Sequence, residues 1–266
     1  MSRIGGMFER LRAESRLGLS MFVTIGYPHK HDTPAIVEAL VAAGTDFIEL
    51  GVPFSDPLAE GRTIQGSSQR ALHNGVTVAF CLEVAREVRE RVDVPLIFMG
   101  YINPILAHGL DRFCLDAASA GVDGLIVADL SMEEADVIQQ SCRAAGLDLI
   151  LFIAPTSTEE RMRTVATLAR GFIYCISVTG VTGSRESLPE EVDGMLERIR
   201  ALTATPLALG FGISRREHLE QLKGKVDAAI VGAALVDQIT EEDPAGSAAA
   251  FVTKLKGGAA VGGQGH

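Results

Sequence analysis

Phe47-Ile-Glu-Leu-Gly-Val-Pro-Phe-Ser-Asp-Pro-Leu-Ala-Glu-Gly61 sets an acid into the end of an apolar run and follows it with a loop that carries two more acids. Phe47, Ile48 and Leu50 read as a strand buried on both faces, the pattern of a parallel sheet. Glu49 then stands where such a strand delivers a side chain into a pocket, and a carboxylate there is either paired or chemically employed. The competing reading is an acid at a solvated strand end with a polar loop behind it. Against that reading, residues 49–61 hold two prolines, two glycines and three acids.

Further strand-like runs lie on both sides of this one. Together they fall at 21–25, 47–50, 94–99, 124–127, 147–153, 171–176, 206–210 and 228–231. Helical patterns separate them, with start signals at Thr33 before Pro34, Ser131 with Glu134, Ser157 with Glu160, Ser214 with Glu217, and Asp243 before Pro244. Gly44, Gly121 and Gly146 read as helix ends. After Pro189, the spacing of Val192, Met195, Ile199 and Leu202 marks a buried helical stripe. Eight strands alternating with helices over about 250 residues predict a single (β/α)8 TIM barrel, α/β in class, whose active residues sit at the C-terminal strand ends. An open doubly wound sheet is the competing architecture, but the first strand runs into Thr24-Ile-Gly-Tyr-Pro28 rather than a Gly-x-Gly-x-x-Gly turn. An amphipathic segment over 4–15 supplies an extra N-terminal helix to close the barrel bottom. Inserted loops follow strands 2 and 6. The barrel domain is expected to span 1–256, and the Gly/Ala-rich stretch 257–266 to be a disordered tail.

Composition limits the function classes. The chain has 266 residues, of which 47% are hydrophobic, and a net charge of -10. This describes a globular core and argues against a nucleic-acid surface. An anionic ligand on such a protein has to be held by local dipoles. Cys81, Cys114, Cys142 and Cys175 show no paired spacing and read as buried reduced thiols, with no zinc site or other metal centre and no disulfide framework. The N-terminus lacks a signal-peptide pattern, and no stretch reaches the roughly 18 apolar residues of a membrane span. The expected location is cytoplasmic. His29, His31, His73, His108 and His218 show no ligand spacing and read as surface or helix residues.

Closing the strands into a barrel gathers one set of residues at one mouth. The set comprises Phe22 and Thr24, Glu49 with the loop 51–62, Tyr101 with Asn103, Asp129, Tyr174, the loop 177–187, Gly210-Phe-Gly-Ile-Ser214 and Gly232-Ala-Ala234. Taken alone, Tyr101 and Asn103 read as loop caps, and Asp129 reads equally as a helix-entry acid. Two glycine turns after the last two strands, each leading into a helix with free amides, mark the usual phosphate position in barrels, or else simply tight βα turns. The polar, glycine-hinged segment 177–186 reads as a lid or as an ordinary solvated connection. From it, Thr182 is within conceivable reach of an acid on the second loop.

The motifs in order resemble the tryptophan synthase alpha subunit family almost end to end. The resemblance runs through Phe22-Val-Thr-Ile-Gly-Tyr-Pro28, the 49–61 stretch, Gly100-Tyr-Ile-Asn-Pro104, Ile126-Val-Ala-Asp129, Tyr174 with Thr179-Gly-Val-Thr-Gly183, and Gly210-Phe-Gly-Ile-Ser214. It implies retro-aldol cleavage of indole-3-glycerol phosphate to indole and glyceraldehyde 3-phosphate. It further implies no cofactor in this chain, and a beta-subunit partner in an α2β2 complex that holds pyridoxal phosphate and receives the indole. By the same resemblance Glu49 and Glu60 are catalytic. Phe22, Tyr101, Asp129, Tyr174 and Thr182 bind substrate, Gly183, Gly212, Gly232 and Ala233 bind phosphate, and Pro53 and Asp56 meet the partner. The chain departs from the family at Glu60, where Asp is usual, at Arg62, where Pro is usual and where the change sets a cation beside Glu60, at Ala233 for Ser, and at Ser131 for Pro. The departures at Glu60, Arg62 and Ala233 keep open a catalytically weakened subunit that mainly activates its partner, and a stand-alone lyase releasing free indole is a second alternative.

Overall fold

The computed structural model describes residues 2–130, 132–177 and 190–258, and for 132–134 the backbone only. Thr182, Gly183 and most of the expected lid lie outside these residues, as do Ser131 and the tail beyond Gly258.

Eight parallel strands close into a barrel in which each pairs with its neighbours in sequence and the last pairs with the first. They are β1 (Gly18–Thr24), β2 (Phe47–Gly51), β3 (Leu96–Gly100), β4 (Gly124–Val127), β5 (Asp148–Ile153), β6 (Ile173–Ile176), β7 (Leu207–Gly210) and β8 (Ala228–Val231). Each falls on one of the apolar runs read from the sequence. The largest difference is β1, which begins at Gly18 rather than Met21 and so includes Ser20.

The helices follow in chain order. Helix α1 (Arg3–Ala13) precedes the barrel, α2 (Thr33–Ala42) follows β1, and α3 (Arg62–His73) and α4 (Val78–Arg91) both follow β2. Next come α5 (Ile102–His108), α6 (Leu110–Ser119), α7 (Met132–Ala145), α8 (Glu159–Leu168) and α9 (Glu190–Arg200). The last are α10 (Arg216–Leu222), α11 (Ala233–Val236) and α12 (Pro244–Leu255).

Side chains alternate across each strand. On β2, Ile48 and Leu50 pack outward in the layer between strands and helices, while Phe47 joins an interior cluster with Ile97, Ile126, Ile150 and Phe172. Helix α1 plugs the lower end of that interior. Its apolar stripe of Ile4, Met7, Phe8 and Leu11 belongs to the same cluster, as the amphipathic pattern predicts. Ser2 Oγ donates to Asp148 Oδ2 at 2.9 Å, and Arg3 pairs with Asp93 and Asp123, which ties the plug to the barrel rim.

Several local expectations change. The cap of α8 is Thr158, whose side chain accepts from Arg161 N, while Ser157 Oγ accepts from Ala154 N inside the preceding turn. Helix α10 takes Arg215 as its cap without a side-chain bond, so Ser214 is not the cap. Of the surface and helix readings for His218 the helix one holds: it lies on α10, fully buried. Thr33 Oγ1 accepts from Gly26 N and fixes the β1–α2 turn. Asp243 does cap α12, accepting from Gly246 N at 3.0 Å. All four cysteines are buried and free. Among the described residues, no helix is long and apolar enough to cross a membrane.

Candidate active site

Glu49 is an interior residue of β2 and is fully buried. On the adjacent β1, Phe22 stands in register with it, and on β3 Ile97 does. Ser20 Oγ donates to Glu49 Oε1 at 3.3 Å, and Oε2 has no hydrogen-bond partner among the described residues. Burial is the main force on its ionisation and pushes the pKa up to about 8. The Ser20 hydrogen bond opposes this shift and the negative charge of Glu60 adds to it. An uncompensated carboxylate in such a place is costly, so the group holds its proton at neutral pH.

Glu60 reaches the same place from the loop after β2. It is half-buried and lines a narrow cavity with Phe22, Thr24, Val52, Ile64 and Tyr101. Desolvation raises its pKa to about 7. The loop is pinned at three points. Ala59 N donates to Tyr101 Oη at 3.1 Å, and Phe54 stacks on the Tyr101 ring with centroids 5.2 Å apart. Ser68 Oγ on α3 accepts from Phe54 N at 3.0 Å, and Gln65 Nε2 donates to Glu60 O at 2.9 Å. Arg62 does not sit beside the Glu60 carboxyl as the sequence suggests. It opens α3 and lines a separate hollow of about 620 Å³ with Phe54, Pro57 and Gln65, and it makes no ion pair with Glu60 among the described residues.

Between the two acids the walls are apolar and aromatic. Phe22 is buried above Gly51, where an added Cβ would lie 2.4 Å from the ring, so only glycine leaves the ring its place. Tyr174 projects from β6 against Phe152. Burial and then the charges of Glu49 and Glu60 raise its pKa well above the ordinary phenol value. The cavity measures only about 10 Å³, room for about one water and too little for the bicyclic ring that the resemblance implies.

Asp129 is exposed at the end of β4 and accepts from Ile102 N at 2.9 Å, the first amide of α5. It is therefore a helix-entry acid, but for a neighbouring helix. At the far side of the mouth, Gly212 turns with φ +80° after β7, and Gly232 leads from β8 into α11. The amides of Ala233 and Ala234 open that helix, where no helical carbonyl precedes them. Ser214 N is already used, donating to His218 Nδ1. Asp56 is exposed and Pro53 buried, so of the two expected partner contacts only Asp56 presents its side chain outward. Among the described residues, no cluster of His, Cys, Asp or Glu could hold a metal ion.

The sequence reading missed Ser20, Ile64, Ser68 and Met99. Ser20 was lost because the strand was started at Met21. Ile64 and Ser68 lie on α3, and its amphipathic pattern with buried Ile64, Ser67, Ser68 and Ala71 was the available signal.

A family model described as tryptophan synthase alpha chain matches residues 8–258. The tryptophan synthase alpha chain of Chloroflexus aurantiacus is 46% identical over 259 residues, covering 96% of this chain and 97% of that protein. That of Solibacter usitatus is 47% identical over 264 residues, covering 97% and 98%. Among solved structures, tryptophan synthase subunit alpha from Legionella pneumophila superposes with a TM-score of 0.88 at 35% identity over 96% of this chain and 97% of that one. Mycobacterium tuberculosis tryptophan synthase superposes with a TM-score of 0.90 at 35% identity over 98% and 99%.

Proposed function

The chain belongs to the tryptophan synthase alpha chain family, lyases that cleave indole-3-glycerol phosphate, and we propose that Glu49 and Glu60 divide the proton work of that cleavage. Breaking the bond between indole C3 and the glycerol chain needs an electron sink. The sink forms when C3 is protonated and the ring nitrogen takes on iminium character. Glu49, protonated at neutral pH, donates to C3. Glu60 as carboxylate sits by the ring nitrogen and stabilises the developing positive charge. The Glu49 carboxylate then accepts the hydroxyl proton as the carbon–carbon bond breaks, which releases indole and glyceraldehyde 3-phosphate and restores the acid.

The observation that carries this reading is a pair of acids raised to about 8 and about 7, close enough that the charge of Glu60 adds to the shift of Glu49. Two carboxyl groups in unlike environments are a known way to divide acid and base work. Phe22, Tyr101 and Tyr174 hold the ring, Asp129 the glycerol hydroxyls, and the amides at Gly212, Gly232 and Ala233 the phosphate. Thr182 and Gly183 are assigned to substrate and phosphate by the resemblance alone. The inward carboxyl of Glu60 supports catalysis over a purely ligand-binding role.

We take the working form to be a cytoplasmic α2β2 complex. In it, pyridoxal phosphate belongs to the beta partner, this chain carries no cofactor, and Asp56 on the exposed loop faces the partner.

The test is indole release from indole-3-glycerol phosphate by the full chain. Glu49→Gln should lower kcat by roughly 10²- to 10⁴-fold, the usual worth of one positioned proton-transfer group. Glu60→Gln should lower it as well, and the parent should show a bell-shaped pH profile. The profile rises as Glu60 ionises near 7 and falls as Glu49 loses its proton near 8. Turnover by Glu49→Gln equal to the parent's would remove Glu49 from the reaction.

A further inference from the structure

We propose that Ser20 is a positioning residue for Glu49, its hydroxyl fixing Oε1 so that the bare Oε2 faces the reacting carbon. The inference rests on the reading of Glu49 as the proton carrier and adds to it the group that aims the proton. Ser20 lies in the interior row of β1, directly below Phe22, and every residue of that strand is buried. Across the β1–β2 ladder it stands in register with Phe47, one interior position below Glu49. A hydroxyl inside an otherwise apolar layer is unfavourable without a partner, and its partner is Glu49 Oε1 at 3.3 Å. Both side chains are fully buried, so no solvent competes for the bond. The orientation follows by elimination: one carboxyl oxygen is held from below, and the other has no hydrogen-bond partner among the described residues.

Among the described residues, several other groups neighbour Glu49. Beside Ser20, β1 presents Phe22, and β3 presents Ile97 and Met99, none of which titrates. The loop after β2 presents Glu60, and β6 presents Tyr174. Glu60 is the one charged group among these near neutrality, and its effect on Glu49 is opposite in sign to that of Ser20. The hydroxyl donor stabilises the carboxylate, so its loss makes Glu49 hold its proton to higher pH.

The experiment is the pH dependence of kcat for indole release by the full chain bearing Ser20→Ala or Ser20→Thr, with thermal unfolding measured alongside. Ser20→Ala should move the falling limb upward by roughly half to one pH unit, within the range of one hydrogen bond to a charged group. It should also lower kcat several-fold with KM changed less than twofold. Ser20→Thr keeps the hydroxyl and should keep the parent limb. In a Glu49→Gln background, Ser20→Ala should have no further effect on the residual rate. If either variant folds poorly, Glu49 is titrated directly through its side-chain carboxyl ¹³C signal in the folded fraction, where the same upward move is expected for Ala alone. A limb and a carboxyl titration unchanged in Ser20→Ala overturn the proposal and leave the reading of Glu49 standing. Full turnover by Glu49→Gln overturns the reading itself.

Discussion

At Glu49 the needs of chemistry and of folding conflict. A carboxyl buried with one bare oxygen is tolerated while neutral and strongly unfavourable when ionised, which is the same fact that keeps its proton available near neutral pH. The sign of the stability effect follows from linkage. The folded-state pKa of about 8 lies above the ordinary 4.5, so between these values the folded state binds more protons than the unfolded state, and stability falls as pH rises. Glu49→Gln removes this slope. The variant should match the parent near pH 4.5 and gain on it by about 1.4 kcal/mol for each pH unit up to about 8, with no further gain above. Denaturant unfolding of both proteins at mildly acidic and mildly alkaline pH checks this, and parallel curves would mean that Glu49 ionises without penalty. Glu60 is under less strain, being only half-buried.

Helix α1 shows how far an element outside the barrel supports the site. Phe8 meets Phe47 and Phe172 with ring centroids 6.1 and 5.9 Å away, and Phe47 is the interior residue two positions before Glu49. Phe8→Ala should destabilise the fold by roughly 3–5 kcal/mol, as for other buried aromatic truncations. It should leave KM for indole-3-glycerol phosphate nearly unchanged below the unfolding temperature. A large rise in KM would show that the plug shapes the mouth as well as the floor. This helix was legible in the sequence because its stripe of Ile4, Met7, Phe8 and Leu11 keeps helical spacing, and the strands were legible because burial on both faces makes them continuous apolar runs. The caps were less so: Ser157 and Thr158 are adjacent hydroxyls, and only the turn geometry decides which one meets the helix. The direction of Glu60 was not legible at all. It depends on Tyr101, Ser68 and Gln65 holding the loop, and these contacts join residues on three different elements. Ser20 fell outside the reading for a simpler reason, since a polar residue at the start of an apolar run looks like a boundary.

Over the whole molecule, acids and glycine turns occupy one rim while the apolar plug closes the other, so access to the barrel interior is from the rim that bears the acids. The net charge of -10 opposes a phosphorylated substrate at long range, so its capture needs local donors, the role proposed for the amides beside β7 and β8. The rim also carries unpaid apolar surface. Leu58, at the tip of the loop that bears Glu60, is 91% exposed, and Leu106 on α5, after the next strand, is 55% exposed. A single exposed leucine is ordinary, but one held almost wholly in water beside an active-site loop suits a surface covered by the beta subunit. Leu58→Asp should therefore weaken association with the beta subunit at least tenfold, measured by calorimetric titration. Leu115→Asp, at a leucine on the outer helix α6 that is exposed to the same 55% as Leu106, should not. Equal losses in the two variants, or none in either, would place the partner elsewhere than on the rim. A loss confined to Leu58 would mean that the partner binds the segment that carries Glu60, so that docking bears directly on the acid proposed to stabilise the ring nitrogen.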